Sequence, residues 1–219
     1  MELASYIDHT MLRADSTLDN IRKICTEAHQ FQFPVVCVPP FYVKNAKDIL
    51  REENEESAVK VATVIGFPMG YSTTAAKVEE IKRAIDDGAS EVDVVINICA
   101  VKSGLWNYVQ NDIDSTATAA HLKGKKVKTI LETGLLSEAE LLKLLEICNE
   151  VKPDFVKTST GFNGDGATVQ VVQLLKAHLE NPIKIKASGG IRTREDALRL
   201  IGAGAQRIGS SSSVMIVQS

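Results

Sequence analysis

No C-x-x-C motif joins any two of the four cysteines, Cys25, Cys37, Cys99 and Cys148, which are scattered along 219 residues. Three of them fall in apolar segments, so reduced core thiols are expected rather than a disulfide framework. No window reaches 18 uncharged apolar residues, and no membrane-spanning helix is expected. The opening MELASYIDHT carries charge at its second position and lacks the apolar run of a signal peptide, so the expected location is cytoplasmic. The four histidines, His9, His29, His121 and His178, show neither H-E-x-x-H nor another ligand spacing, and flavin, haem and iron–sulfur signatures are missing too. Neither a metal nor an organic cofactor is expected. His29 and His178 read as helix residues, His121 as a helix end, and His9 as a neighbour of the active face.

Excess charge is also lacking. Lys and Arg number 25 against 28 Asp and Glu, the formal charge is −3, and the two signs are interleaved, so nucleic acid is not an expected partner. The longest basic cluster, Lys123-Gly-Lys125-Lys126 with Lys128 beyond, reads as a solvated loop where a helix hands over to a strand.

What is present is a globular composition, 44% hydrophobic and 24% charged with 14 Gly and 6 Pro. One domain spanning residues 1–219 is expected, large enough to bury roughly 70% of the surface of its unfolded chain. Eight short β-branched runs recur: around 6–8, then 34–38, 59–66, 91–97, 127–132, 154–159, 183–188 and 206–209. Helical periodicity fills the gaps over 18–30, 43–53, 75–87, 105–122, 138–151, 168–179 and 194–201. Ser137-Glu-Ala-Glu140 reads as a capping box. Gly88 and Gly204 end two helices in the same way. Regular alternation without a linker leaves a closed barrel or an open doubly wound sheet. Eight even units, no G-x-G-x-x-G after the first strand, and polar residues at alternate strand positions favour a (β/α)8 TIM barrel.

Period-two alternation then sorts the strand residues. In Glu91-Val-Asp-Val-Val-Ile-Asn97, Val92, Val94 and Ile96 face the helices while Asp93 and Asn97 face the lumen, where a carboxylate needs a cationic or hydrogen-bonding partner. Lys157 faces inward with Phe155 and Ser159; on the next strand Lys184, Lys186 and Ser188 face inward as well. Strands about 4.8 Å apart make Lys157 and Lys186 neighbours. Two close ammonium groups in a desolvated site disfavour each other's charge, which prepares one as a free amine and a carbonyl nucleophile. Asp93 supplies a proton acceptor. The competing reading is a set of ordinary lumen ion pairs, against which stands their joint position near the C-terminal ends of strands, where barrel enzymes act.

Ser188-Gly-Gly-Ile-Arg192 and Gly209-Ser-Ser-Ser-Ser213 follow the last two strands, where barrels of this kind cradle phosphate with backbone N–H groups. Thr158-Ser-Thr-Gly161 can donate from a third side. Arg192 is either an added charge or a surface residue.

Ile7-Asp-His-Thr10, Glu91-Val-Asp-Val-Val-Ile-Asn97, Val156-Lys-Thr-Ser-Thr-Gly161 and Ile185-Lys-Ala-Ser-Gly-Gly-Ile-Arg192 occur in that order over nearly the whole chain. Together they resemble the deoxyribose-phosphate aldolase family. The resemblance implies a cytoplasmic class I aldolase of deoxyribonucleotide breakdown. It reversibly cleaves 2-deoxy-D-ribose 5-phosphate to acetaldehyde and D-glyceraldehyde 3-phosphate through a lysine Schiff base, without metal or cofactor. By motif, Lys157 is the nucleophile, Lys186 the lysine that depresses its pKa, and Asp93 the proton-transferring carboxylate. Gly161, Gly189, Gly190, Gly209, Ser211 and Ser212 match the phosphate loops, and Asp8, Thr10 and Cys37 match residues lining the site. Two departures stand out. The last tyrosine is Tyr108, so the family's tyrosine-bearing tail is not matched, which implies slower proton exchange at the enamine. Phe162 stands where some relatives carry a lysine, which implies weaker phosphate binding. Two other functions compete with this one: a phosphate-binding isomerase or lyase using Asp93 as base and Lys157 as an electrostatic stabiliser without covalency, and a silent sugar-phosphate-binding protein. The oligomeric state is open, a homodimer among the options.

Overall fold

Each β-branched run forms a short strand that pairs in parallel with its sequence neighbours, and the eighth returns to the first. This computed structural model describes residues 3–219, with strands β1 (Ile7–Thr10), β2 (Val35–Val38), β3 (Lys60–Ile65), β4 (Glu91–Val95), β5 (Lys126–Ile130), β6 (Phe155–Lys157), β7 (Lys184–Ser188) and β8 (Arg207–Ser210). The helices are α1 (Leu18–Phe31), α2 (Val43–Glu53), α3 (Thr74–Asp86), α4 (Ile98–Lys102), α5 (Trp106–His121), α6 (Glu138–Val151), α7 (Val169–His178), α8 (Arg194–Ala203) and α9 (Ser213–Gln218). The architecture is the expected (β/α)8 barrel, closed in strand order 1 to 8. Glu2, the charged second residue, lies outside the described residues. Among the described residues no helix is long and apolar enough to cross a membrane.

Six helices, α1, α3, α4, α6, α7 and α8, start where a short polar side chain satisfies one of the first N–H groups. Thr17 accepts from Asn20 and Ser137 accepts from Glu140, and in both cases the third residue reaches back to complete a capping box. Apolar residues one turn apart then bury one face: Ile21, Ile24, Cys25 and Ala28 on α1, and Leu141, Leu144, Leu145 and Cys148 on α6. Each large aliphatic side chain so buried contributes roughly 1.5–3 kcal/mol, so a charge at Leu144 would break the packing of α6. Strands β4, β5 and β6 end earlier than the sequence reading has them, at Val95, Ile130 and Lys157. Asn97 does not extend β4; it caps α4 by accepting the Ala100 N–H at 3.1 Å, because a short amide competes better as a cap than as a strand residue.

Register places the polar lumen residues side by side. Asp93 stands opposite Lys128, Lys157 opposite Lys186, Lys186 opposite Arg207, and Gly209 opposite Asp8. The β2–β3 quarter of the barrel differs in kind: Val35, Cys37, Ala62 and Val64 pack there as a small apolar cluster.

Candidate active site

Strand alternation drives four cations and three carboxylates into the lumen, and closure of the barrel forces them to share partners. Asp93 takes Lys128 Nζ on Oδ1 at 2.8 Å, and both Lys157 Nζ and Lys186 Nζ on Oδ2 at 2.9 Å. Asp8 holds Lys186 at 2.5 Å and Arg207 at 2.6 Å. Glu91 Oε2 lies 2.7 Å from Lys128 Nζ as an ion pair, without hydrogen-bond alignment. Asp8, Asp93, Lys128 and Lys186 are fully or almost fully shielded from solvent, so each charge depends on its neighbours. The lumen thus holds four cationic side chains, Lys128, Lys157, Lys186 and Arg207, against three carboxyl side chains, Asp8, Glu91 and Asp93, so one cation is left without a carboxyl of its own.

The environment selects which one. Burial pushes the Lys157 ammonium down; Asp93 opposes this, but Lys186 adds to the depression, and the net shift is downward. Burial also disfavours the charged forms of Lys186 and Lys128, yet Asp8 and Asp93 outweigh it at Lys186, and Asp93, Asp8 and Glu91 do so at Lys128, so both are held above the ordinary lysine value. Arg207 is raised in the same way by Asp8 and Glu91. Burial alone would raise Asp93, but Lys128, Lys157 and Lys186 together hold its carboxyl well below the usual range. Of these four cations, the Lys157 ammonium therefore gives up its proton most readily.

Lys157 is also the member of the network that reaches the opening. A cleft of about 500 Å³ at the C-terminal end of the strands has Lys157 in its floor. Gly161, Gly189, Gly190, Gly209 and Ser211 form one side, and Thr10, Met11, Leu12 and Phe162 complete the wall. The Phe162 ring is braced edge-on by Phe67, centroids 5.1 Å apart. Arg192 is exposed at the rim. Two glycines are required by close approach. A Cβ on Gly189, whose φ is +89°, would stand 2.9 Å from Gly166 Cα, where the β6–α7 loop crosses it. A Cβ on Gly209 would stand 3.0 Å from Lys186 Cε, so this glycine makes room for the lysine stem.

The predicted site residues separate into layers. Gly161, Gly189, Gly190, Gly209, Ser211 and Thr10 border the cleft. Asp8 and Cys37, expected to line it, lie beneath the floor at 0% exposure: Asp8 serves Lys186 and Arg207, and Cys37 belongs to the apolar quarter, where burial and then Asp93 push its thiol up to about 11. Ser212 turns into an adjoining groove, its N–H donating to Ser210 Oγ at 2.9 Å. His9 points outward from β1, away from the cleft, bonding Glu27 on α1 at 2.7 Å and packing on Phe33. Lys184 faces the lumen side but is exposed at the opposite end, over the Phe155 ring. Lys128 is a correction: it is no part of a solvated loop, but a fully buried partner of Asp93. Its signal was present, since Lys126-Val-Lys-Thr-Ile130 alternates as β7 does. Glu91 and Arg207 were also missed, both carried on the lumen-facing register of their strands.

A buried lysine whose pKa is lowered, at the floor of a cleft with glycine- and serine-rich walls at the C-terminal end of the strands, is the arrangement of a barrel enzyme's active site. The family model described as DeoC/LacD family aldolase matches residues 3–213. The chain belongs to this family of aldolases. It is 52% identical over 217 residues to the deoxyribose-phosphate aldolase of Thermococcus kodakarensis, covering 99% of this chain and 96% of that one. The enzyme of the same name from Desulfitobacterium hafniense is 49% identical over 217 residues, covering 99% and 98%. Among solved structures, the deoxyribose phosphate aldolase from Aeropyrum pernix, described as a unique tetramer, superposes with a TM-score of 0.90 at 33% identity, covering 99% of this chain and 90% of that one.

Proposed function

We propose that this aldolase reversibly cleaves 2-deoxy-D-ribose 5-phosphate to acetaldehyde and D-glyceraldehyde 3-phosphate in the cytoplasm, with Lys157 as the Schiff-base nucleophile. The observation that carries the reading is the depressed lysine at the cleft floor, sharing a carboxylate oxygen with a second lysine. The Lys157 amine attacks the C1 aldehyde of the open-chain sugar, water leaves, and a protonated imine forms. A base removes the C3 hydroxyl proton, the C2–C3 bond breaks, and its electron pair flows to the imine nitrogen, releasing D-glyceraldehyde 3-phosphate and leaving an enamine. Protonation at C2 and hydrolysis then return acetaldehyde and the free lysine.

Asp93, lying beneath Lys157, acts through water as the proton acceptor. Its depressed pKa makes it a relay, which passes the proton on rather than keeping it. Lys186 keeps Lys157 depressed through like charge, and the phosphate rests against Gly161, Gly189, Gly190, Gly209 and Ser211, which border the cleft, while Ser212, turned into the adjoining groove, supports that loop through its bond to Ser210. Asp8, Thr10 and Cys37 complete the surroundings, Asp8 by holding Lys186 and Thr10 from the cleft wall. The test is incubation with substrate and borohydride, followed by mass mapping. A two-carbon reduced adduct on Lys157 is expected; absence of added mass on that residue refutes the covalent mechanism.

A further inference from the structure

Glu132 is a fully buried carboxylate that the chemistry above does not use. It lies two residues beyond β5 in a left-handed backbone conformation, φ 56° and ψ 56°, that side chains other than glycine and asparagine seldom adopt. The pairing with the next strand explains the conformation. Leu131 N–H donates to the Lys157 carbonyl at 3.0 Å, and Thr133 N–H donates to the Thr158 carbonyl at 2.9 Å. The chain thus advances two residues on one side against one on the other, which is a bulge, and bulges re-aim side chains next to active sites.

Here the carboxylate is aimed at the turn that follows Lys157. One Glu132 oxygen accepts the Thr160 N–H at 2.9 Å and the other accepts the Thr160 hydroxyl. That hydroxyl oxygen in turn accepts the Phe162 N–H at 3.1 Å. A carboxylate only accepts, so it draws the hydroxyl proton to itself and leaves the oxygen free for Phe162. Gly161 is held between these two anchored residues with φ +83°, and a Cβ on Gly189 would stand 3.5 Å from its Cα. The turn tied to Glu132 is therefore the one that faces Gly189 across the proposed phosphate side of the cleft.

We infer that Glu132 is a positioning residue for phosphate recognition: through Thr160 it fixes the Gly161 turn against Gly189 without touching the reacting carbons. This rests on the phosphate placement proposed above. Glu132→Gln is the sharp test, because either orientation of the amide replaces one acceptor with a donor and leaves a Thr160 donor unpaired. The expected result is an increase of about tenfold in KM for 2-deoxy-D-ribose 5-phosphate, and in the competitive inhibition constant of inorganic phosphate, with kcat changed by less than about twofold. Turnover of unphosphorylated 2-deoxy-D-ribose and borohydride trapping of acetaldehyde on Lys157 should not change. Equal losses on phosphorylated and unphosphorylated substrates overturn the inference, as does unchanged phosphate inhibition. If the glutamine variant does not fold, Glu132→Asp, which keeps an acceptor but shortens its reach, should show the same split at smaller size, and an equal loss there overturns it. Wild-type protein that traps acetaldehyde on Lys157 yet shows no preference for the phosphorylated sugar overturns this inference alone; failure to trap overturns the aldolase mechanism instead.

Discussion

Lys157 and Lys77 are both buried lysines facing carboxylates, yet the two sites are built differently. Lys77 lies between α3 and α5, its Nζ 2.6 Å from Asp112 Oδ2, while Asp112 Oδ1 accepts the Thr74 hydroxyl at 2.8 Å. Its stem passes Gly66, where a Cβ would stand 3.1 Å from Lys77 Cε. One cation meets one anion there, and Lys77 lines none of the clefts described above. In the lumen, by contrast, Lys157 shares Asp93 with Lys128 and Lys186, the cations outnumber the carboxylates by one, and a cleft opens onto the amine. A buried lysine is thus a structural pair where charge is balanced and a candidate nucleophile where it is not.

The comparison is tested most strongly by removing each lysine in turn. Lys157→Ala should lower turnover by at least about 10⁴-fold while circular dichroism and thermal unfolding report an intact barrel, since the lost side chain borders the cleft and Asp93 keeps Lys128 and Lys186 as partners. Activity retained in a folded variant would end the assignment. Lys77→Ala should do the reverse, leaving kcat close to wild type but costing about 3–5 kcal/mol in denaturant unfolding, because Asp112 is left buried without its cation. A stable Lys77→Ala protein would mean that the helix-layer pair contributes less than its burial suggests.

Acid titration probes the lumen carboxylates directly. Asp8 and Asp93 have folded pKa values below their unfolded ones, so their contribution to stability is complete above the unfolded value near 4 and is lost as pH falls through the folded values. Unfolding followed from pH 6 downward should show stability declining below about pH 4, and Asp93→Asn should flatten that decline. A slope unaltered in the variant would remove Asp93 from the linkage. Lys186→Leu acts on the nucleophile. Without its like charge the Lys157 pKa rises, less free amine is present at neutral pH, and the acid limb of the pH–rate profile moves upward, with turnover at pH 7 reduced by at least about tenfold. An unmoved limb would deny Lys186 its role.

The smallest effect is expected at the thiols. Burial holds Cys25 and Cys148 up at about 12 and, together with Asp93, Cys37 at about 11, whereas Cys99 is exposed. Titration of the native protein with a thiol reagent should label Cys99 first and leave turnover unchanged. Early modification of Cys37 would show that the apolar quarter of the lumen opens to reagent.

Much of this was legible in the chain itself. Which way a strand side chain points is a local property, so alternation alone put Asp93, Lys157 and Lys186 inside, and capping residues such as Ser137 marked the helix starts. The same alternation carried Lys128, but the basic run before it made the lysine look solvated. Other features had no local trace. That Asp93 binds three lysines, that Arg207 and Lys186 share Asp8, and that Gly209 vacates space for a lysine stem all depend on the register in which eight strands close. Glu132 reaches Thr160 only because a bulge at the end of β5 turns it there. The chain thus determined which side chains enter the lumen, because pleating repeats every two residues; the closed barrel decided which of them share a proton, because that depends on distances between strands far apart in sequence.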